Sequence, residues 1–330
     1  MESIFRTRLT EMLGITHPIL MGGMQWITRS EFVAYACNAG GLGFITAESF
    51  ETPEDLREDI RKIRDLTDKP FGVNISMIPE LGDLKERTYR LCDVICEEKV
   101  PVVETAGRNP APLVPRLKEG GVKIIHKMTS VHHAHKAEAA GVDAVALLGF
   151  GSGGHIGLQD VASFISLPLA VKRLSIPVIA AGGIADGAGF LGALAMGAEG
   201  VLLGSRFLVT RECPIHEAVK QKYIDAKAEE TTLLMKTIFN PMRTIRNTLA
   251  EEVLAIEEKG ATLEDILAKV AGQRTKSAYV SGDPEHSMLP AGQVVGLIDE
   301  LKTVAEVVED IIEEAKDLLK RLNAAAGQGA

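Results

Sequence analysis

Eight short apolar runs, each rich in β-branched residues, recur through the first two thirds of the chain, and roughly 15–25 helix-compatible residues separate each from the next. They read "HPILMGGM" (17–24), "GLGFITA" (41–47), "FGVNISM" (71–77), "VPVVETAG" (100–107), "VKIIHKM" (122–128), "AVALLGFG" (144–151), "PVIAAGG" (177–183) and "GVLLGSRFL" (200–208). Runs this uniformly apolar are expected to be strands buried on both faces, as in a parallel sheet, and the segments between them are long enough for crossover helices. Helical signals are clear in "GDLKERTYRLCDVICEE" and in "ETPEDLREDIRKIRDL", where Thr52 caps and Pro53 takes the first helical position. Eight such units predict an α/β fold, a TIM (β/α)8 barrel. A doubly wound open sheet is the runner-up, because a count of strands does not establish closure.

The pattern changes near residue 209. From "RECPIHEAVKQKYIDAKAEE" to "LEDILAKVAGQ" the chain reads almost wholly as helix, with no strand-like run. The expected organisation is a barrel over 1–209 and a mainly helical appendage over 210–330 whose helices complete the barrel. That appendage is expected to cover the barrel mouth or to supply a homodimer contact. The stretch "LIDELKTVAEVVEDIIEEAKDLLKRL" is an amphipathic helix with a core-packing stripe, and "NAAAGQGA" reads as a frayed tail. No window offers the roughly 18 uncharged apolar residues of a membrane span, and the N-terminus lacks a signal-peptide core, so a soluble cytoplasmic protein is expected. The net charge of −9 argues against nucleic-acid or anionic-membrane partners. Cys37, Cys92, Cys96 and Cys213 show no zinc spacing, so reduced thiols and no metal are expected.

Glycines gather at the carboxyl ends of the runs, where barrel enzymes build their sites. Gly182 and Gly183 end the seventh run, and Gly204 and Ser205 end the eighth. Backbone N–H groups converge there at a helix N-terminus, which makes these four residues a phosphate cradle. The segment "GFGSGGHIG" (149–157) places five glycines around His155, the one histidine that combines a mouth position, a glycine setting and titration near neutrality. His132, His133 and His135 lack the spacing of metal ligands and read as solvated surface, and His126 should point to the opposite side of its strand from Lys127.

The motifs "QWITRSEFVAYACNAGGLGFITA", "FGVNISM", "GGHIG", "IAAGGIADG" and "ALAMGAEGVLLGSRFL" resemble the FMN-dependent barrels of the nitronate monooxygenase (2-nitropropane dioxygenase) superfamily, over essentially the whole chain. That superfamily also contains FMN-dependent enoyl-ACP reductases. The segments "PILMGGMQW", "VVETAGRNP", "VKIIHKMTSVHHAHKAE" and "GSRFLVTRECPIHEAVK" are similar to its bacterial NADH:quinone reductases. Around the strand-six glycines the chain carries Leu148, Gly151 and Ser152, where that branch tends to carry acidic and cysteine residues. The resemblance implies non-covalent FMN, lying along Gly23, Met24 and Gln25, with Asn74 and Ser76 of the third run and Lys127 of the fifth also in contact. A cation near the ring's pyrimidine end would favour the anionic reduced flavin. Gly153 and Gly154 would lie near the isoalloxazine, and Ala181, Gly182, Gly183, Gly204 and Ser205 would hold the phosphate. His155 would act on the substrate. The implied reaction is NAD(P)H:quinone reduction, with NADH or NADPH docking transiently. Oxidation of alkyl nitronates and reduction of enoyl thioesters are the alternatives.

Overall fold

The computed structural model describes residues 4–77, 85–260, 262–270 and 272–327. Among them are eleven strands: β1 (Ile19–Met21), β2 (Leu42–Thr46), β3 (Gly72–Met77), β4 (Val102–Gly107), β5 (Lys123–Met128), β6 (Ala144–Leu148), β7 (Gly154–His155), β8 (Val178–Ala181), β9 (Gly200–Leu203), β10 (Thr231–Leu234) and β11 (Met242–Ile245). Eight of them, β1 to β6 with β8 and β9, close a parallel barrel. Closure is made where β1 pairs with β9, Ile19 opposite Val201 and Met21 opposite Leu203. The fold is therefore a TIM barrel, and all eight apolar runs of the sequence supply its strands.

Strand alternation explains why the runs are apolar throughout. One set of residues, including Leu20, Leu42, Phe44, Val102, Ile125 and Ile179, meets inside the barrel and packs on Leu9 and Leu13 of the helix Arg8–Leu13. The alternate set, including Ile45, Val73, Val103, Ile124 and Val201, packs outward under the helices. The helix Pro53–Leu66 starts as its sequence dictates: Thr52 Oγ1 accepts from the Asp55 N–H at 3.1 Å and the Asp55 carboxylate accepts from the Thr52 N–H at 2.9 Å. The following helix runs Glu86–Glu97, and the first residues of the segment expected to form it, 82–84, lie outside the described residues.

The short helix Ser205–Leu208 after β9 is too small to cover its strand. The long helix Val304–Ala325 packs instead against the helices Gly187–Ala195 and Ser30–Asn38, which follow β8 and β1. It buries Val304, Val307, Val308, Ile311, Ile312 and Ala315 there. Helix continues to Ala325, so the first residues of the expected tail are helical, and the last three residues lie outside the described residues. The segment between β9 and this helix is not wholly helical, which corrects the sequence expectation. β10 and β11 form an antiparallel hairpin, Thr231 opposite Ile245 and Leu234 opposite Met242. β7, from the glycine segment after β6, adds to that hairpin, Met242 opposite His155 and Arg243 opposite Gly154. Each of these strands has four residues or fewer, too few for a periodic signal to show.

Candidate active site

Inside the barrel the apolar layers give way to polar residues toward the carboxyl ends of the strands. Asn74 on β3 and Glu104 on β4 stand opposite one another, and Lys127 lies further along β5. Glu104 is fully buried, and its Oε2 accepts from Asn74 Nδ2 at 2.6 Å and from Lys127 Nζ at 3.0 Å. Its Oε1 is buried without a partner among the described residues. Lys127 is thus no isolated cation. Gly23 is pressed against the same group: a Cβ there would stand 2.5 Å from the Asn74 Cβ and 2.8 Å from its Oδ1. Of the neighbours named with it, Met24 donates its N–H to Thr28 Oγ1 at 2.9 Å, Gln25 is exposed at the rim, and the Ser76 N–H donates to Glu48 Oε1 at 2.9 Å. Burial pushes the Glu48 carboxyl up to about 7.

The glycine segment after β6 is filled mostly by protein. A Cβ at Gly149 would meet Ser163 Oγ at 1.9 Å, one at Gly151 would meet Gln293 Oε1 at 3.0 Å, and one at Gly157 would meet Thr129 Oγ1 at 2.3 Å. Gly153 lies under the backbone of the appendage, where a Cβ would be 2.6 Å from the Ala291 carbonyl carbon and 2.7 Å from Gly292 N. Only Gly154, at φ +74°, opens on free space. At Gly153 the space of the missing side chain is therefore taken by the backbone of residues 291–292.

Three contacts tie this segment to the appendage. Gln293 donates its N–H to Gly151 O at 2.9 Å, and Ile156 donates its N–H to Pro241 O at 3.2 Å; nearby, Gly292 donates its N–H to Ser205 Oγ at 3.0 Å. Arg243, buried and without a carboxylate partner among the described residues, donates to Phe150 O and Thr231 Oγ1, both at 3.2 Å, with its guanidinium 5.2 Å from the centre of the Phe150 ring. The result is a fixed presentation of His155. Its side chain reaches solvent at the mouth while protein surrounds much of it; that desolvation lowers its pKa, and hydrogen bonding to Asn240 works in the other direction.

Across the mouth, the ends of β8 and β9 differ. Gly182 and Gly183 both take left-handed backbone angles, φ +80° and +78°, as their turn requires. Gly182 lies against Ser152, whose Oγ donates to Ala181 O at 3.3 Å, but a Cβ at Gly183 would meet nothing within 4 Å. At Gly204 the nearest atom would be Met24 Sδ, 4.0 Å away. Gly204 leads into Ser205–Leu208, so open space and a serine hydroxyl, which accepts from the Gly292 N–H and keeps its own hydrogen to donate, coincide at the expected cradle. These residues fit a phosphate such as that of FMN.

The remaining histidines fall where alternation and spacing placed them. His126 points outward, its Nδ1 2.9 Å from Thr105 Oγ1, and burial lowers its pKa to about 4. His132, His133 and His135 are exposed on the helix Val131–Ala140, and no metal-binding cluster occurs among the described residues. The cysteines are free thiols. No helix among the described residues is long and apolar enough to cross a membrane. Sequence reading missed Glu104 and Arg243. Glu104 had a visible signal, a carboxylate in the middle of an apolar strand, whereas Arg243 sits in a four-residue strand with none.

Known proteins place this architecture. The nitronate monooxygenase family model matches residues 6–314. A Rhodococcus jostii protein named (3aS,4S,5R,7aS)-5-hydroxy-7a-methyl-1-oxo-octahydro-1H-indene-4-carboxyl-CoA dehydrogenase is 34% identical, covering 98% of each chain. A probable nitronate monooxygenase of Staphylococcus aureus is 33% identical over 87% of this chain and 91% of its own. The solved structure of FabK from Thermotoga maritima superposes with a TM-score of 0.89 at 38% identity, covering 97% of this chain and 99% of that one. This chain therefore belongs to the nitronate monooxygenase family, a generally flavin-dependent family, and is an oxidoreductase.

Proposed function

We propose that this oxidoreductase is an FMN-dependent, NAD(P)H-linked reductase whose acceptor is an apolar acyl thioester, bound with its conjugated carbonyl beside His155. The observation that carries the reading is an apolar rim on the segments next to that histidine. Leu158, Val161, Phe164 and Ile165 follow it along the chain, and Phe239 stands on the β10–β11 hairpin one residue before its partner Asn240; all five are exposed, Phe164 by 77% and Phe239 by 78%. Exposed apolar surface of this extent marks a binding surface. The carboxyl-CoA substrate named for the Rhodococcus relative combines a thioester with a largely hydrocarbon ring system.

Bound FMN would supply the two-electron chemistry, taking hydride from NAD(P)H and delivering it to the acceptor. Gly183, Gly204 and Ser205 would hold its phosphate. His155, with a lowered pKa, is neutral at pH 7 and carries one N–H and one lone pair. It can donate its one N–H to the thioester carbonyl oxygen, while the proton for the carbon beside that carbonyl comes from solvent. Quinone reduction is the second reading, favoured by "HKMTSVHHAHKAE" and "RECPIH", and an apolar quinone would use the same rim. A small anionic nitronate would leave the rim in water, and both Lys127 and Arg243 are already engaged.

Anaerobic stopped-flow mixing tests the proposal. NADH or NADPH should bleach the flavin, and trans-2-enoyl-CoA should restore its colour faster than benzoquinone does. Faster recovery with benzoquinone would select the second reading, and absence of bleaching by either nicotinamide would overturn both. His155→Ala should keep its flavin while thioester turnover falls about 10²–10⁴-fold, and an unchanged rate would remove His155 from the chemistry.

A further inference from the structure

We propose that Glu104 is a positioning residue that sets the hydrogen-bonding polarity and the charge of the cofactor floor; this rests on the flavin reading above but not on the choice of acceptor. A carboxylate only accepts hydrogen bonds. Because Glu104 Oε2 lies 2.6 Å from Asn74 Nδ2, the Asn74 amide must turn its NH2 toward Glu104 and its oxygen away. That oxygen receives only a long contact, 3.4 Å from Ser76 Oγ, and faces the position a Cβ would take on Gly23. Lys127 uses one N–H on Glu104, and no other protein acceptor takes its ammonium among the described residues.

The floor therefore presents an acceptor, Asn74 Oδ1, together with ammonium donors. That pattern complements a ring edge in which an N–H is flanked by carbonyl oxygens, the pyrimidine edge of a flavin. A neutral residue at position 104 would let the Asn74 amide take either orientation, and the pattern would no longer be fixed. Glu104 has an electrostatic role as well. The Lys127 ammonium favours the anionic reduced ring, and the carboxylate at 3.0 Å offsets part of that preference.

Two readouts test this on the whole protein: FMN affinity of the stripped chain by fluorescence titration, and the two-electron reduction potential of the loaded one. Glu104→Gln keeps the shape and an acceptor but removes the charge. The ratio of reduced to oxidised FMN affinity should rise about tenfold, which is about 30 mV toward positive potential. Glu104→Leu should weaken oxidised FMN binding about tenfold or more, because the Asn74 amide loses its fixed orientation. If Glu104→Gln does not fold, judged by circular dichroism, Lys127→Gln carries the test with the opposite sign, a more negative potential. An unchanged potential in whichever of these variants folds overturns the proposal. If the wild-type chain binds no FMN, the flavin reading itself fails, and that outcome is separate from either potential result.

Discussion

The glycines after β6 and those after β8 and β9 look alike in the sequence, yet apart from Gly154 in the first group and Gly182, which packs on Ser152, in the second, they do opposite things in the fold. In the first group, Gly149, Gly151, Gly153 and Gly157 give their missing side-chain volume to protein atoms. In the second, Gly183 and Gly204 leave it open. A glycine marks a close approach but does not say what approaches. The segment that looked like a ligand loop is a joint between barrel and appendage, and its one open glycine, Gly154, stands beside the one reactive side chain.

The contrast is broken most severely at Gly204. Gly204→Glu places a carboxylate in the open cradle, and bound flavin per folded chain should fall more than tenfold while the melting temperature of the flavin-free protein stays unchanged. Retained flavin would show that this opening holds no phosphate. Gly153→Val should do the reverse. Its side chain meets backbone at 2.6–2.8 Å, so stability in a urea titration should drop by about 3 kcal/mol while the surviving folded protein keeps its flavin. Equal stability would mean that the appendage yields easily.

Glu48 supplies an intermediate case, a buried carboxyl beside the site. Burial raises its pKa from 4.5 to about 7, so the folded chain holds this proton more tightly than the unfolded chain. Its contribution to stability is full below about pH 4.5 and is lost as pH rises to about 7, by up to about 3 kcal/mol. Glu48→Gln should therefore gain on the wild type in melting temperature between pH 5 and pH 8, and parallel pH profiles would reject the account. Gly151→Ala is the smallest change. Its Cβ would touch only the flexible end of Gln293, at 3.0 Å, so stability should stay within about 0.5 kcal/mol. A larger loss would place Gly151 with Gly153.

The barrel was legible because each strand is buried on two faces, and continuous runs such as those around Val103 and Val201 report that directly. The outward turn of His126 followed from alternation alone. The β7–β11 pairing was not legible, since "GH" is too short to show a period and its partner lies more than eighty residues away. Glu104 was half legible: its charge stands out in "VPVVETAG", but a lone sequence does not say that Asn74 and Lys127 on adjacent strands converge on one of its oxygens. The same limit hid the fate of Gly153, whose neighbours at 291–292 are distant in the chain.

The place of the helix Val304–Ala325 has a consequence for synthesis. The helices that follow β8 and β1 share it as a neighbour, and nearly a hundred residues of appendage are made between β9 and its first turn. A nascent barrel can pair all eight strands and still leave the apolar flanks of Gly187–Ala195 and Ser30–Asn38 bare until the helix Val304–Ala325 has left the ribosome. Closing that seam joins segments far apart in sequence, a slow kind of contact to make. A chain stopped short of residue 304 should therefore be a substrate for chaperones and proteases even though it encodes every barrel strand.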